Sequence, residues 1–129
     1  MLGIVLVSHS ASLAEGLADM ARQITGGDVR VLAAGGGPEG TLGTDADRIA
    51  AAIREAESGD GVLVLVDLGS AVLSVRALLA DGDLDGARVI LADAPLVEGA
   101  IAAAATASIG ADLDAAAAAA REAWDVRKI

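Results

Sequence analysis

Few side chains in this chain can do covalent chemistry. Its 129 residues include one histidine, one lysine (Lys128), and no cysteine or tyrosine. The histidine stands in Val7-Ser8-His9-Ser10, directly after the apolar run Leu2–Val7. An imidazole is a nucleophile or a base near neutral pH. A second apolar run ends on Asp67 and is followed by Leu68-Gly69-Ser70. If Asp67 bonds one ring nitrogen of His9, it fixes the tautomer and leaves the other nitrogen free to attack. The same carboxylate favours imidazolium, which opposes nucleophilicity. It also stabilises the cation that forms as nitrogen takes up phosphorus. Ser10 and Ser70 fall at expected helix starts, where hydroxyls and amides suit phosphate oxygens. Gly35, Gly36, Gly37 and Gly69 would let a bulky partner approach the backbone.

These residues exclude some chemistry. There is no Gly-x-x-x-x-Gly-Lys-Ser/Thr run, and the only lysine lies one residue from the end, so direct use of ATP is not expected. Transient phosphorylation of His9 fits better. Plainer roles stand beside each of these. A histidine after a strand can be a surface residue or a helix cap. Asp67, Asp93 and Ser70 can be caps. Gly35–Gly37 can be only a turn. Glu98 suits a first-turn charge, and Trp124 suits packing or an interface anchor.

The elements that must position these residues follow from periodicity. Leu2–Val7 is short and rich in Val and Ile, as in a strand buried on both faces. Leu13–Ile24 repeats apolar residues at helical spacing, with Ser8, Ser10 or Ser12 as its cap. Val29–Ala33 reads as a second strand, ending in the glycine-rich loop 34–40. Thr44 with Asp47 resembles a capping box before a helix whose inner face is Ile49, Ala52, Ile53 and Ala56. Gly61–Asp67 reads as the third strand and Ser70–Ala80 as a helix broken at Asp81-Gly82-Asp83. Ala87–Asp93 reads as the fourth strand. Pro95 is expected in the first turn of a helix over Leu96–Ser108, and a last helix spans Asp112–Val126. Strand–helix alternation repeated in this way predicts an α/β three-layer sandwich, its mainly parallel four-stranded sheet in the order 2-1-3-4 with helices on both faces. Ligands in such sheets lie beyond the carboxyl ends of the strands, where strand order reverses. That crevice would receive Ser8-His9-Ser10 and Asp67–Ser70, with Gly35–Gly37 and Asp93 on the rim.

Composition narrows the class. The length suits one domain, taken as residues 1–129. Trp124 is the only aromatic residue, so stacking platforms for single-stranded nucleic acid are missing. A net charge of −10 repels phosphate backbones, so no nucleic-acid partner is expected. Without cysteine, disulfides and zinc–sulfur sites are excluded. No apolar stretch of about twenty residues suggests a membrane span, and the N-terminus lacks the basic flank of a signal peptide. The expectation is a cytoplasmic protein with no membrane partner.

Four segments together resemble a known family. They are Ile4-Val-Leu-Val-Ser-His9-Ser10, Gly35-Gly36 leading to Leu42-Gly43-Thr44, Asp67-Leu-Gly-Ser-Ala71, and Pro95-Leu-Val-Glu-Gly-Ala100. In this order and at strand ends, they are similar to the DhaM-type phosphotransfer subunits of phosphoenolpyruvate-dependent dihydroxyacetone kinase. That family in turn resembles the mannose-type IIA domains of the bacterial sugar phosphotransferase system. The resemblance covers nearly the whole chain. It implies a parallel α/β fold, usually a homodimer, with no cofactor and no metal. It implies that His9 accepts phosphate from the phosphocarrier HPr and passes it to ADP held in DhaL. DhaL then phosphorylates dihydroxyacetone bound to DhaK. Asp67 matches the family's aspartate beside the histidine, and Gly69 and Ser70 line the same pocket. Longer relatives append HPr-like and enzyme I-like domains, so here HPr and enzyme I are expected as separate proteins.

Two other readings use the same residues. A histidine after the first strand also occurs in class II chelatases, which insert metal into tetrapyrroles, but that reading wants a second histidine. A receiver-like or scaffold module wants an acidic cluster and a lysine after a late strand, and no lysine lies there.

Overall fold

The computed structural model describes every residue except Asp83 and Asp85. Its elements run β1 (Gly3–Ser8), α1 (Ala11–Ile24), β2 (Arg30–Gly35), α2 (Ala46–Ala56), β3 (Val62–Val66), α3 (Gly69–Ala80), β4 (Val89–Leu91), α4 (Leu96–Ser108) and α5 (Leu113–Glu122). The four strands pair in parallel in the order β2-β1-β3-β4, as the alternation predicts. Among the described residues no helix is long and apolar enough to cross a membrane.

Alternation along the two central strands sorts the core by side-chain size. Ile4 and Leu6 of β1 and Leu63 and Leu65 of β3 face one layer, with α1, α4 and α5. Val5, Val7, Val62 and Val64 face the other, with α2 and α3. The larger side chains meet the alanine-rich helices, so big residues fill the space that small ones leave. Gly99 in α4 shows how close this is. A Cβ built there would lie 2.9 Å from Leu65 Cδ2 and 3.0 Å from Ala94 Cβ. All four residues of β3 from Val62 to Leu65 are fully buried, and removing one leucine side chain from such a layer costs about 2–5 kcal/mol.

Several expected boundaries shift, each for a physical reason. β2 runs on to Gly35 because its pairing with β1 continues to Ser8. β4 is shorter than its apolar sequence, pairing only Val89–Leu91 with β3. The expected capping box at Thr44 does not form. Asp45 caps α2, accepting from the amides of Asp47 at 3.0 Å and Arg48 at 3.4 Å, while the Thr44 hydroxyl bonds Ser74 Oγ at 2.9 Å. Pro95 is the N-cap of α4 rather than its first helical residue. The last helix stops at Glu122, and a single tight turn, Ala123–Asp125, follows. Of the expected breaker after α3, Gly82 turns with a positive φ of 68°; Asp83 lies outside the described residues.

Candidate functional site

Register brings the chemistry together. Val7 pairs with Val66 and Ser8 with Gly35, so the residue after β3 stands level with the end of β1. The Asp67 amide donates to the Val7 carbonyl at 3.1 Å and holds it there. Its carboxylate then gathers three donors. Oδ1 faces His9 Nδ1 at 2.9 Å. Oδ2 accepts the His9 backbone N–H at 3.0 Å and the Ser8 hydroxyl at 2.9 Å. A carboxylate only accepts, so the neutral His9 ring carries its proton on Nδ1. The lone pair is therefore on Nε2, which faces Ser70 Oγ at 2.7 Å.

Burial raises the Asp67 carboxyl pKa, but the His9 amide, the His9 ring and the Ser8 hydroxyl together outweigh it. The carboxyl sits below its ordinary value of 3.8. Asp67 is thus an anion at neutral pH, and it stabilises positive charge on the ring beside it. His9 keeps 19% of its side chain exposed and Asp67 15%, so both are largely covered while the ring keeps an edge that a partner can reach.

The other wall of the site is the start of α3. The N-cap there is Leu68, which supplies no side-chain cap. Ser70 is therefore not the N-cap that its sequence position suggests; its hydroxyl goes to His9 instead. The amides of Gly69 and Ser70 have no hydrogen-bond partner among the described residues. Uncapped first-turn amides with the helix dipole behind them favour an anion. By contrast α1 is capped: Ser10 Oγ accepts the Leu13 amide at 3.3 Å and lies 3.3 Å from Ser12 Oγ. Ser10 is beside the ring in sequence but is engaged in its own helix.

Gly35 and Gly36 serve a different purpose from the one their sequence suggests. A Cβ on Gly35 would lie 2.5 Å from the Ser10 carbonyl oxygen and 2.8 Å from Ala14 Cβ. The Gly36 amide is spent on the Ser8 carbonyl at 3.0 Å. These glycines therefore bring β2 against the His9 loop rather than exposing backbone to a partner. Asp93, expected on the rim, lies beyond β4, and its carbonyl accepts the Trp124 indole N–H at 3.1 Å. Trp124 remains largely exposed.

Sequence reasoning missed three contributors. Ser8 is fully buried, donates to Asp67 and accepts the Ser10 amide at 3.0 Å. Arg48 Nη1 donates to the carbonyls of Gly35 at 2.7 Å and Gly36 at 3.2 Å. Gly43 donates to the His9 carbonyl at 3.0 Å, so the loop before α2 is tied to the site. A serine closing an otherwise apolar strand was the one available signal, for Ser8. Arg48 and Gly43 act through contacts that no local pattern marks.

Residues 3–117 match the EIIA-man family model, described as the PTS system fructose IIA component. Over 118 residues the chain is 42% identical to the phosphoryl donor subunit DhaM of PEP-dependent dihydroxyacetone kinase from Escherichia coli (strain K12), covering 88% of this chain and 25% of that protein. It thus spans about a quarter of that relative's length, and the same holds for the Pantoea ananatis subunit at 43% identity. A shorter relative, the DhaM subunit of PEP-dependent dihydroxyacetone kinase 2 from Listeria innocua, is 42% identical over 81% of this chain and 84% of its own length. Among solved structures, the unknown-function protein EF1359 matches at a TM-score of 0.80 and 35% identity, covering 95% of both chains. A sigma-54 interaction domain protein from Enterococcus faecalis, 19% identical with a TM-score of 0.63, shares the fold.

Proposed function

The chain belongs to the EIIA-man family of phosphotransferase-system IIA components, with DhaM subunits among its relatives, and on that premise we propose that it is a phosphohistidine relay. His9 Nε2 takes a phosphoryl group from the phosphohistidine of HPr and passes it to ADP held on DhaL, for phosphorylation of dihydroxyacetone bound to DhaK. The names of its relatives support the pathway. The line Asp67–His9–Ser70 carries the chemical reading.

The transfer is an in-line displacement. As the donor N–P bond breaks, the Nε2–P bond forms on the lone pair that Asp67 has left unprotonated. The ring becomes cationic, and Asp67 Oδ1, at 2.9 Å from Nδ1, stabilises it. The Ser70 hydroxyl gives up Nε2 and turns to a phosphoryl oxygen, joined by the free amides of Gly69 and Ser70. In the second transfer the same carboxylate keeps the proton on Nδ1 while Nε2 departs with its electron pair. Nothing in this cycle asks the chain to bind nucleotide itself, which suits its lack of a phosphate-binding lysine.

Incubation with phosphoenolpyruvate, enzyme I and HPr should add one acid-labile phosphate, and His9→Ala should abolish it. Adding DhaL, DhaK, ADP and dihydroxyacetone should then discharge the label in proportion to dihydroxyacetone phosphate formed. A wild-type chain that stays unlabelled would overturn the reading. The family also supports a homodimer, which light scattering tests by mass. The tetrapyrrole–metal alternative has no support. None of the relatives described is a chelatase, and no cluster of three metal-ligating side chains occurs among the described residues.

A further inference from the structure

Three side chains of the site are arranged in a second recognisable way. Ser70 Oγ lies 2.7 Å from His9 Nε2, and His9 Nδ1 lies 2.9 Å from Asp67 Oδ1. A hydroxyl in hydrogen-bond reach of a base, with that base oriented by a half-buried carboxylate, has the arrangement of an activated nucleophile whatever fold carries it. The orientation is fixed from behind as well. The Asp67 carboxylate is held by the Ser8 hydroxyl and the His9 amide, so it cannot swing away from Nδ1 without breaking two further bonds. Ser70 is exposed to solvent, so an electrophile can reach it. Its own amide and that of Gly69 are free and lie at the start of a twelve-residue helix, where an oxyanion would be stabilised.

We propose that the unphosphorylated site is also a Ser-His-Asp nucleophile, in which Ser70 attacks small activated acyl and phosphonyl esters. Ser70 Oγ bonds to the carbonyl carbon or phosphorus, and its proton passes to His9 Nε2. The oxyanion rests on the amides of Gly69 and Ser70, and the imidazolium on Asp67. The departing phenolate takes the proton from Nε2; a departing fluoride leaves as hydrogen fluoride by the same route. An acyl group is then released by water that gives its proton to Nε2; as the bond from Ser70 Oγ to the acyl carbon breaks, Oγ takes that proton back and the carboxylic acid departs. A phosphonyl group remains on Ser70 and blocks the relay. The substrates are small because Leu68 and Leu73, the large apolar residues flanking Ser70 in the chain, stand in solvent rather than lining a closed pocket.

The reaction needs His9 only as a base, so it is separable from the phosphohistidine reading. The test is to treat the full chain with a fluorophosphonate probe and locate the adduct by tandem mass spectrometry. The expected result is a single adduct on Ser70, formed about 100-fold more slowly in His9→Ala and absent from Ser70→Ala. Hydrolysis of p-nitrophenyl acetate should fall in the same two variants, with their circular dichroism unchanged. An adduct on His9, no adduct in the wild type, or a Ser70 adduct whose rate ignores His9→Ala would each overturn the proposal. Labelling of His9 by HPr, run in parallel, reports on the relay independently.

Discussion

The two ends of the sheet make an instructive pair. At the amino end, Met1, Glu57, Asp60, Arg88, Gly110 and Leu113 help line a cleft of about 800 Å³. Its charged groups are engaged in local pairs and caps. The terminal ammonium pairs with Asp60, Arg88 pairs with Asp114 at 2.9 Å, and Glu57 accepts the amides of Gly59 and Gly61. At the carboxyl end the hydrogen bonds converge. Ser8, the His9 amide and Asp67 all act to place a single lone pair, and that lone pair faces the Ser70 hydroxyl in the first turn of α3. The proposed site is therefore set apart by the direction of its hydrogen bonds and not by concavity.

Substitutions at the two ends should differ accordingly. The largest effect is expected from Asp67→Asn, which keeps the shape but presents an amide to the ring. Single-turnover labelling of His9 by HPr should slow by about 10²–10⁴-fold, and a rate near wild type would remove the carboxyl end's claim to special status. The same variant sharpens the comparison through pH. Because the folded Asp67 carboxyl lies below its ordinary 3.8, its stabilising effect is full above that value. It is lost as pH falls through the lower folded pKa. Denaturant melts between neutral and strongly acidic pH should show a shallower acid loss in Asp67→Asn than in wild type.

Ser8→Ala comes next. It deletes a bond to a charged acceptor and leaves the Ser10 amide unpartnered, for about 1–3 kcal/mol of stability and roughly tenfold in labelling rate. Both are measurable on one preparation. Gly35→Ala should destabilise by about 1–3 kcal/mol, since its Cβ must push the Ser10 carbonyl away. Melting temperature and labelling rate should fall together. The smallest effect belongs to the amino end. Arg88→Ala removes an exposed ion pair, so stability should change by at most about 1 kcal/mol and labelling should not change. A labelling defect there would show that the large cleft takes part after all.

Much of this was legible in the residues. The short apolar runs and the helical spacing between them mark the strand–helix alternation, and that alternation carries the layered parallel sheet. Strand order then delivers His9 and Asp67 to one edge, because each closes a central strand. What was not legible depends on distant partners. Thr44 looks like a cap until Ser74, thirty residues on, takes its hydroxyl. Ser70 looks like a cap until the ring takes it. Gly36 looks like an open loop until β1 claims its amide. Local sequence states what a side chain is able to bond; only the packed fold decides which of several able partners it meets.

The bond between His9 and Asp67 spans 58 positions of sequence, and this sets when the site can exist during synthesis. An emerging chain has its imidazole well before it has an acid to orient it. The ring gains its fixed tautomer only after β3 has left the ribosome and zipped alongside β1, a long-range closure that comes late compared with helix formation. In the proposed relay, full competence to accept phosphate would therefore follow the pairing of β1 with β3, and a nascent or misassembled chain would react more slowly with its donor.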